Sequence, residues 1–183
     1  MSEAAFIRHC SPTLAGLKTA SLFTSTYSSE AEVTRMVRRL NQTLGPRGLK
    51  ILPLRYAKGR VLIYVYRPSR LTEDLKGSFA RGLLESRGYP CGSAEGCVAR
   101  LARRLKENGE FPHEIGLFLG YPPEDVRGFI ENRGGACKCT GFWKVYGDEE
   151  QARKKFAKYR KCTDVYWRQW TGGTSIERLT VAV

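Results

Sequence analysis

Histidine is scarce in this chain: of 183 residues only His9 and His113 are histidines. A zinc site of the His-Glu-x-x-His kind is excluded, because His113-Glu114 has no second histidine at the required place. Long apolar runs are missing too, and no stretch approaches the roughly 18 residues of a membrane-spanning helix. Walker A, GxGxxG and GxSxG elements are absent, which removes the usual signatures of nucleotide binding and acyl transfer. No RNP, KH or helix-turn-helix pattern marks a named nucleic-acid module. There is no internal repeat, low-complexity tract or evident linker. Acidic side chains are few: 18 Asp and Glu stand against 31 Lys and Arg, for a formal charge of +13. That excess favours acidic partners such as nucleic acid, an anionic membrane, an acidic protein or an anionic ligand, and equally describes a solvated basic surface.

What is present suffices for a core, since hydrophobic residues make up 42% of the chain and aromatics 11%. One domain over residues 1–183 is expected, with a weak subdivision near 88–93. The opening MSEAAFIRHC carries an acidic residue and no continuous apolar stretch, so a cytoplasmic protein is expected. That compartment keeps thiols reduced, and the six cysteines then read as free, metal-bound or redox-active rather than as structural disulfides.

Residues 3–9 predict a short helix, and Ser11-Pro12 reads as the N-cap and first position of a second. Residues 21–27 predict a strand. Val33, Val37 and Leu40 predict a helix over 29–44, stopped by Gly45-Pro46. The runs 49–56 and 61–66 around Lys58-Gly59 predict an antiparallel hairpin, with Pro53 marking an edge or a bulge. Helices are predicted over 71–86, 94–107 (capped by Ser93), 112–119 and 123–131. Residues 142–146 predict a strand. Asp148 and Gln151 form a capping box for a long basic helix, and 175–183 reads as a strand or short helix. Strands early, helices late and a late strand argue for α+β, with helices packed on a small, largely antiparallel sheet.

Four constellations could carry chemistry. Cys10, ahead of a helix beginning at Pro12, would be favoured as thiolate by the free amides there; the alternative is a small buried cysteine. His113 and Glu114 fall in the first turn of a helix opened by Pro112, which favours a neutral imidazole able to act as base or ligand and also describes an ordinary helix start. Cys137-Lys138-Cys139 closes too small a ring for an unstrained disulfide and suits two ligands for one soft metal, or a reactive thiol pair. Cys91 and Cys97 read as packing residues. Cys10, His113, Cys137 and Cys139 together would make a four-ligand set for zinc or iron. The stretch 154–170 interleaves lysine and arginine with aromatics, which serves both phosphate-and-base binding and a plain amphipathic helix.

The run PHEIGLFLGYPPEDVRGFIEN, then GFWKVYGD, then Ala152, Phe156 and Tyr159 at helical spacing, resembles a bacterial family of unknown function found mostly in anaerobic Gram-positive organisms. HCSPTLAGLKTASLF resembles that family's opening. The resemblance spans nearly the whole chain and transfers no catalytic residue. It implies a setting near flavodoxin or iron-uptake genes, and hence redox or metal handling. The expected function is therefore a Cys/His site of redox or iron physiology, with Cys10 as thiolate, His113 as its partner, Glu114 orienting it, and Cys137 and Cys139 as further ligands or resolving thiols. The alternative is a non-catalytic basic module that grips nucleic acid or an acidic redox protein such as flavodoxin through Arg100, Arg103, Arg104, Lys154, Lys155 and Lys158.

Overall fold

The computed structural model describes residues 2–90, 92–107 and 111–182. In chain order these form α1 (Glu3–Leu14), β1 (Ala20–Thr26), α2 (Glu30–Leu44), a 3-10 turn (Gly45–Arg47), β2 (Lys50–Ala57), β3 (Arg60–Tyr66), α3 (Pro68–Leu75) and α4 (Ser78–Ser86). Then follow α5 (Ala94–Arg104), α6 (Ile115–Phe118), α7 (Pro123–Glu131), β4 (Cys139–Thr140), β5 (Lys144–Val145), α8 (Glu149–Thr171) and α9 (Ile176–Leu179). Helices with two small antiparallel sheets make this an α+β protein, as the element pattern implies. The chain divides into two compact units: Met1–Arg70 with Lys161–Val183, and Leu71–Arg160. Residues 88–93 lie inside the second.

The first unit is built on the sheet β1-β3-β2. The hairpin forms around Lys58 and Gly59, both at positive φ, the backbone that a tight two-residue turn requires. Pro53 lies on the edge strand, and the register against β3 slips between Pro53 and Arg55. Both readings of that proline therefore hold: it donates no hydrogen bond, so an edge or a bulge is where it costs least. Val61, Ile63 and Val65 of β3, with Ile51 and Phe23, pack against Phe6, Cys10 and Leu14 of α1, Val33, Val37 and Leu40 of α2, and Ile176 and Leu179 of α9. Ser29 caps α2 by accepting from the Glu32 amide.

Two expectations fail here. The helix does not break ahead of Pro12: α1 continues to Leu14 with the proline inside it. Pro12 falls in the last turn, where it forfeits a single intrahelical hydrogen bond, and burying Phe6, Cys10 and Leu14 on one stripe outweighs that loss. The predicted helix over 71–86 is two helices, because Gly77 takes an extended backbone and stands at the N-cap of α4.

In the second unit, Asp148 caps α8 by accepting from the Gln151 amide, as its position implies. The short hairpin β4–β5 is held onto α7 through a glycine. A methyl group at Gly128 would come within 2.3 Å of the Tyr146 ring, so only a bare helix surface lets that ring lie flat. The strand expected over 142–146 shrinks to Lys144–Val145. The helix expected over 112–119 shrinks to the single turn of α6, with Pro112 and His113 in the turn that leads into it.

Candidate functional site

Cys10 is wholly buried in the core of the first unit. Burial pushes its thiol well above the usual range; Lys18 and a hydrogen bond with Ser21 oppose that shift without cancelling it. The reactive-thiolate reading of Cys10 is corrected accordingly: it sits mid-helix, without free amides around it, in an apolar setting that penalises charge. Lys18 beside it is also buried, its ammonium donates to the Ala20 carbonyl, and burial lowers its pKa to about 8. His9 is exposed and stacks on Phe23 at 5.1 Å.

His113 and Glu114, adjacent in sequence, part company in the second unit. Glu114 is fully buried, and its Oε1 accepts from the Tyr89 hydroxyl at 2.8 Å and pairs with Arg104 at 2.7 Å. Its Oε2 has no hydrogen-bond partner among the described residues. Burial, reinforced by the Glu114 charge, pushes the Tyr89 phenol up, so it stays a proton donor to the carboxylate. Glu114 is thus an internal anchor for Tyr89 and Arg104 rather than an orienter of a Cys10–His113 pair. His113 instead lies 5.0 Å from the Phe129 ring and 6.4 Å from Phe111, as part of an aromatic wall.

Cys137 and Cys139 are partly exposed, with the Cys137 sulfur 3.5 Å from the Thr140 hydroxyl. Among the described residues no three His, Cys, Asp or Glu side chains are grouped to hold a metal ion, so the expected set of Cys10, His113, Cys137 and Cys139 is not assembled. Cys97 is buried and donates to the Pro90 carbonyl; Cys91 lies outside the described residues. Alkylation of the native protein with iodoacetamide is therefore expected to modify Cys137 and Cys139 roughly tenfold or more faster than Cys10 and Cys97. Peptide mass spectrometry over a time course checks this; equal labelling of Cys10 would mean that the first core opens readily.

The basic candidates divide. Arg104 is committed to Glu114, Arg100 to Glu107 and Lys154 to Glu150. Arg103, Lys155 and Lys158 are exposed and make no ion pair among the described residues.

The concavity that His113 enters is a pocket of about 440 Å³. It is walled by Phe111, His113, Phe129, Tyr121, Phe142 and Trp143, with Thr140, Gly141 and Lys144 from the β4–β5 hairpin. Tyr121 stacks on Trp143 at 4.9 Å, and Trp143 meets Phe156 of α8 edge-on at 4.5 Å. Phe142 packs on Phe156 and Tyr159. The downstream aromatic stripe thus supports the pocket from behind. Gly141 is a requirement of that packing, since a methyl group there would lie 2.3 Å from the Phe156 ring.

Asp125 holds the assembly together. It is buried in the first turn of α7, where Oδ2 accepts from the Trp143 indole at 2.6 Å. Its Oδ1 accepts from the amides of Tyr146 and Gly147 at 2.7 and 2.8 Å. An acidic residue at a helix start reads by default as a match to the helix dipole, which is why sequence reasoning passed over Asp125. A tryptophan that needs a partner for its N–H once buried was the available signal.

A family model described as a protein of unknown function (DUF3793) matches residues 6–180. The chain belongs to this family. The match runs through both units, so the pocket and the first core are both parts of the family's span. No curated protein and no solved structure matches the chain. Among the described residues no helix is long and apolar enough to cross a membrane.

Proposed function

We propose that the protein binds a small planar aromatic molecule in the pocket of its second unit. One observation carries this reading. Among the described residues the exposed large hydrophobic side chains are Phe111, Phe142 and Val181, and the first two both line this pocket. Solvating two phenylalanines at the mouth of one cavity is unfavourable unless something covers them. The volume falls in the range of roughly 300–1,000 Å³ typical of ligand sites. Rings at the walls favour a flat partner that stacks offset or edge-on.

The test is a titration with naphthalene-2-methanol, a neutral flat probe, followed by tryptophan fluorescence and calorimetry. Saturable binding at one site is expected, with Phe129→Ala weakening it about tenfold, the loss of one aromatic contact. Absence of saturable binding would sink the reading.

A second reading has its own support. Lys155 and Lys158 on α8 and Arg103 on α5 are exposed and have no ion-pair partner among the described residues, on a chain of net charge +13, which favours an acidic partner, nucleic acid or protein. Retention on single-stranded DNA that falls steeply with salt would support the nucleic-acid form of it, and no retention at low salt would remove that form.

A further inference from the structure

We infer that the pocket's ligand carries a single negative charge, a carboxylate on its aromatic ring system, received by the Lys144 ammonium. This rests on the proposed pocket and names the class of molecule that fills it.

The charge balance of the walls carries the inference. The carboxylate of Asp125 is turned to the protein and already accepts three N–H groups, so it offers little to a cationic ligand. The Tyr121 hydroxyl donates to the Phe142 carbonyl, and burial raises its pKa to about 12, so it stays neutral. Lys144 differs. Its Nζ donates one hydrogen bond, to the Gly134 carbonyl at 2.5 Å, and lies 5.9 Å from the centroid of the Phe129 ring. An ammonium has three donors, and among the described residues Lys144 has no carboxylate partner. Two N–H groups and a full positive charge are therefore left beside an apolar wall, where screening by water is weakened.

The ammonium is also held in place. Arg133, Gly134 and Ala136 all take positive φ, which wraps the loop so that the Gly134 carbonyl meets Nζ. A methyl group at residue 134 would press on the Phe129 ring at 3.1 Å and stand 3.5 Å from Nζ. The neighbouring Lys138 spends its ammonium on the Gly147 carbonyl and is not part of the wall. One wall lysine suits one anionic group rather than a dianion. A planar ring with a carboxylate satisfies both halves of the pocket, the aromatic surface and the unpaired ammonium.

The experiment compares naphthalene-2-carboxylate with naphthalene-2-methanol, alike in shape and unlike in charge, by calorimetry on the full chain. The wild type is expected to bind the carboxylate about tenfold tighter, the scale of one charge-assisted hydrogen bond. Lys144→Gln is expected to abolish that preference, so that the variant binds the two probes equally. Lys144→Arg should keep the preference, and added salt should weaken the carboxylate alone. Equal binding of both probes by the wild type, or a preference that survives in Lys144→Gln, overturns the inference while leaving the pocket reading intact. Failure of both probes removes the pocket reading and the inference with it. Should Lys144→Gln not fold, the salt dependence and the arginine variant decide.

Discussion

Replacing Asp125 by alanine is expected to cost the second unit about 4 kcal/mol, from three hydrogen bonds to a charged acceptor less the desolvation recovered when that carboxylate is removed. The three donors it serves come from the Trp143 indole and the Tyr146 and Gly147 amides. None of them gains a replacement acceptor from alanine. The consequence is also geometric, because these bonds clamp the β4–β5 hairpin to α7 and so set the position of Trp143 on the pocket wall. Asp125→Asn keeps one carbonyl oxygen and turns an NH₂ toward a donor, so about half the loss is expected. Hydrogen exchange read by mass spectrometry separates the two units: residues 139–147 should lose protection while α1 and the β1-β3-β2 sheet keep theirs. A loss below about 1 kcal/mol, within the span of a surface substitution, would show that the clamp contributes little.

The second large effect belongs to the first unit. Arg67 is fully buried and has no carboxylate partner among the described residues. Its guanidinium is spent on backbone carbonyls instead. Nε donates to Thr13 at 2.7 Å, one terminal nitrogen to Leu14 and Val181 at 2.7 and 2.8 Å, and the other to Arg47 at 3.2 Å. The end of α1, the 3-10 turn and the C-terminal segment are thus tied at one point. The carbonyls at a helix C-terminus carry partial negative charge and lack intrahelical partners, so a planar cation with several donors suits them. Arg67→Met is expected to cost about 3 kcal/mol, since four carbonyls lose a charged donor while those of Thr13 and Leu14 keep one amide each, from Gly16 and Val181. Arg67→Lys restores the charge but not the fork, and should recover less than half of the loss. Denaturant unfolding followed through Trp167 and Trp170, which pack on this core, checks both. A methionine variant as stable as the wild type would show that the carbonyls find other donors or water.

The thiol hypothesis illustrates why adjacent residues mislead when read along the chain. His9 and Cys10 sit side by side in sequence, yet one stacks on Phe23 at the surface of α1 and the other faces the core. His113 and Glu114 separate in the same way, one to a pocket and one to a buried ion pair. Neighbouring side chains diverge by about 100° on a helix, as His9 and Cys10 do in α1, and the turn before α6 parts His113 from Glu114, so proximity in sequence is poor grounds for shared chemistry.

Local chemistry was legible without the structure. The spacing of Val33, Val37 and Leu40, the caps at Ser93 and Asp148, the turn at Lys58-Gly59 and the edge proline at 53 each rest on interactions within a few residues. Such interactions survive whatever the rest of the chain does. The α+β class followed from the order of those elements. Tertiary structure alone decided that α1 runs through Pro12, because burial of Cys10 and Leu14 outweighs one lost hydrogen bond. It also decided that Asp125, Trp143 and Lys144 meet around one cavity, since long-range packing on α7 and α8 creates that meeting. A candidate site made of residues 111–144 becomes visible only when the hairpin has closed onto the helix, because the hydrogen bonds that close it join residues about twenty positions apart.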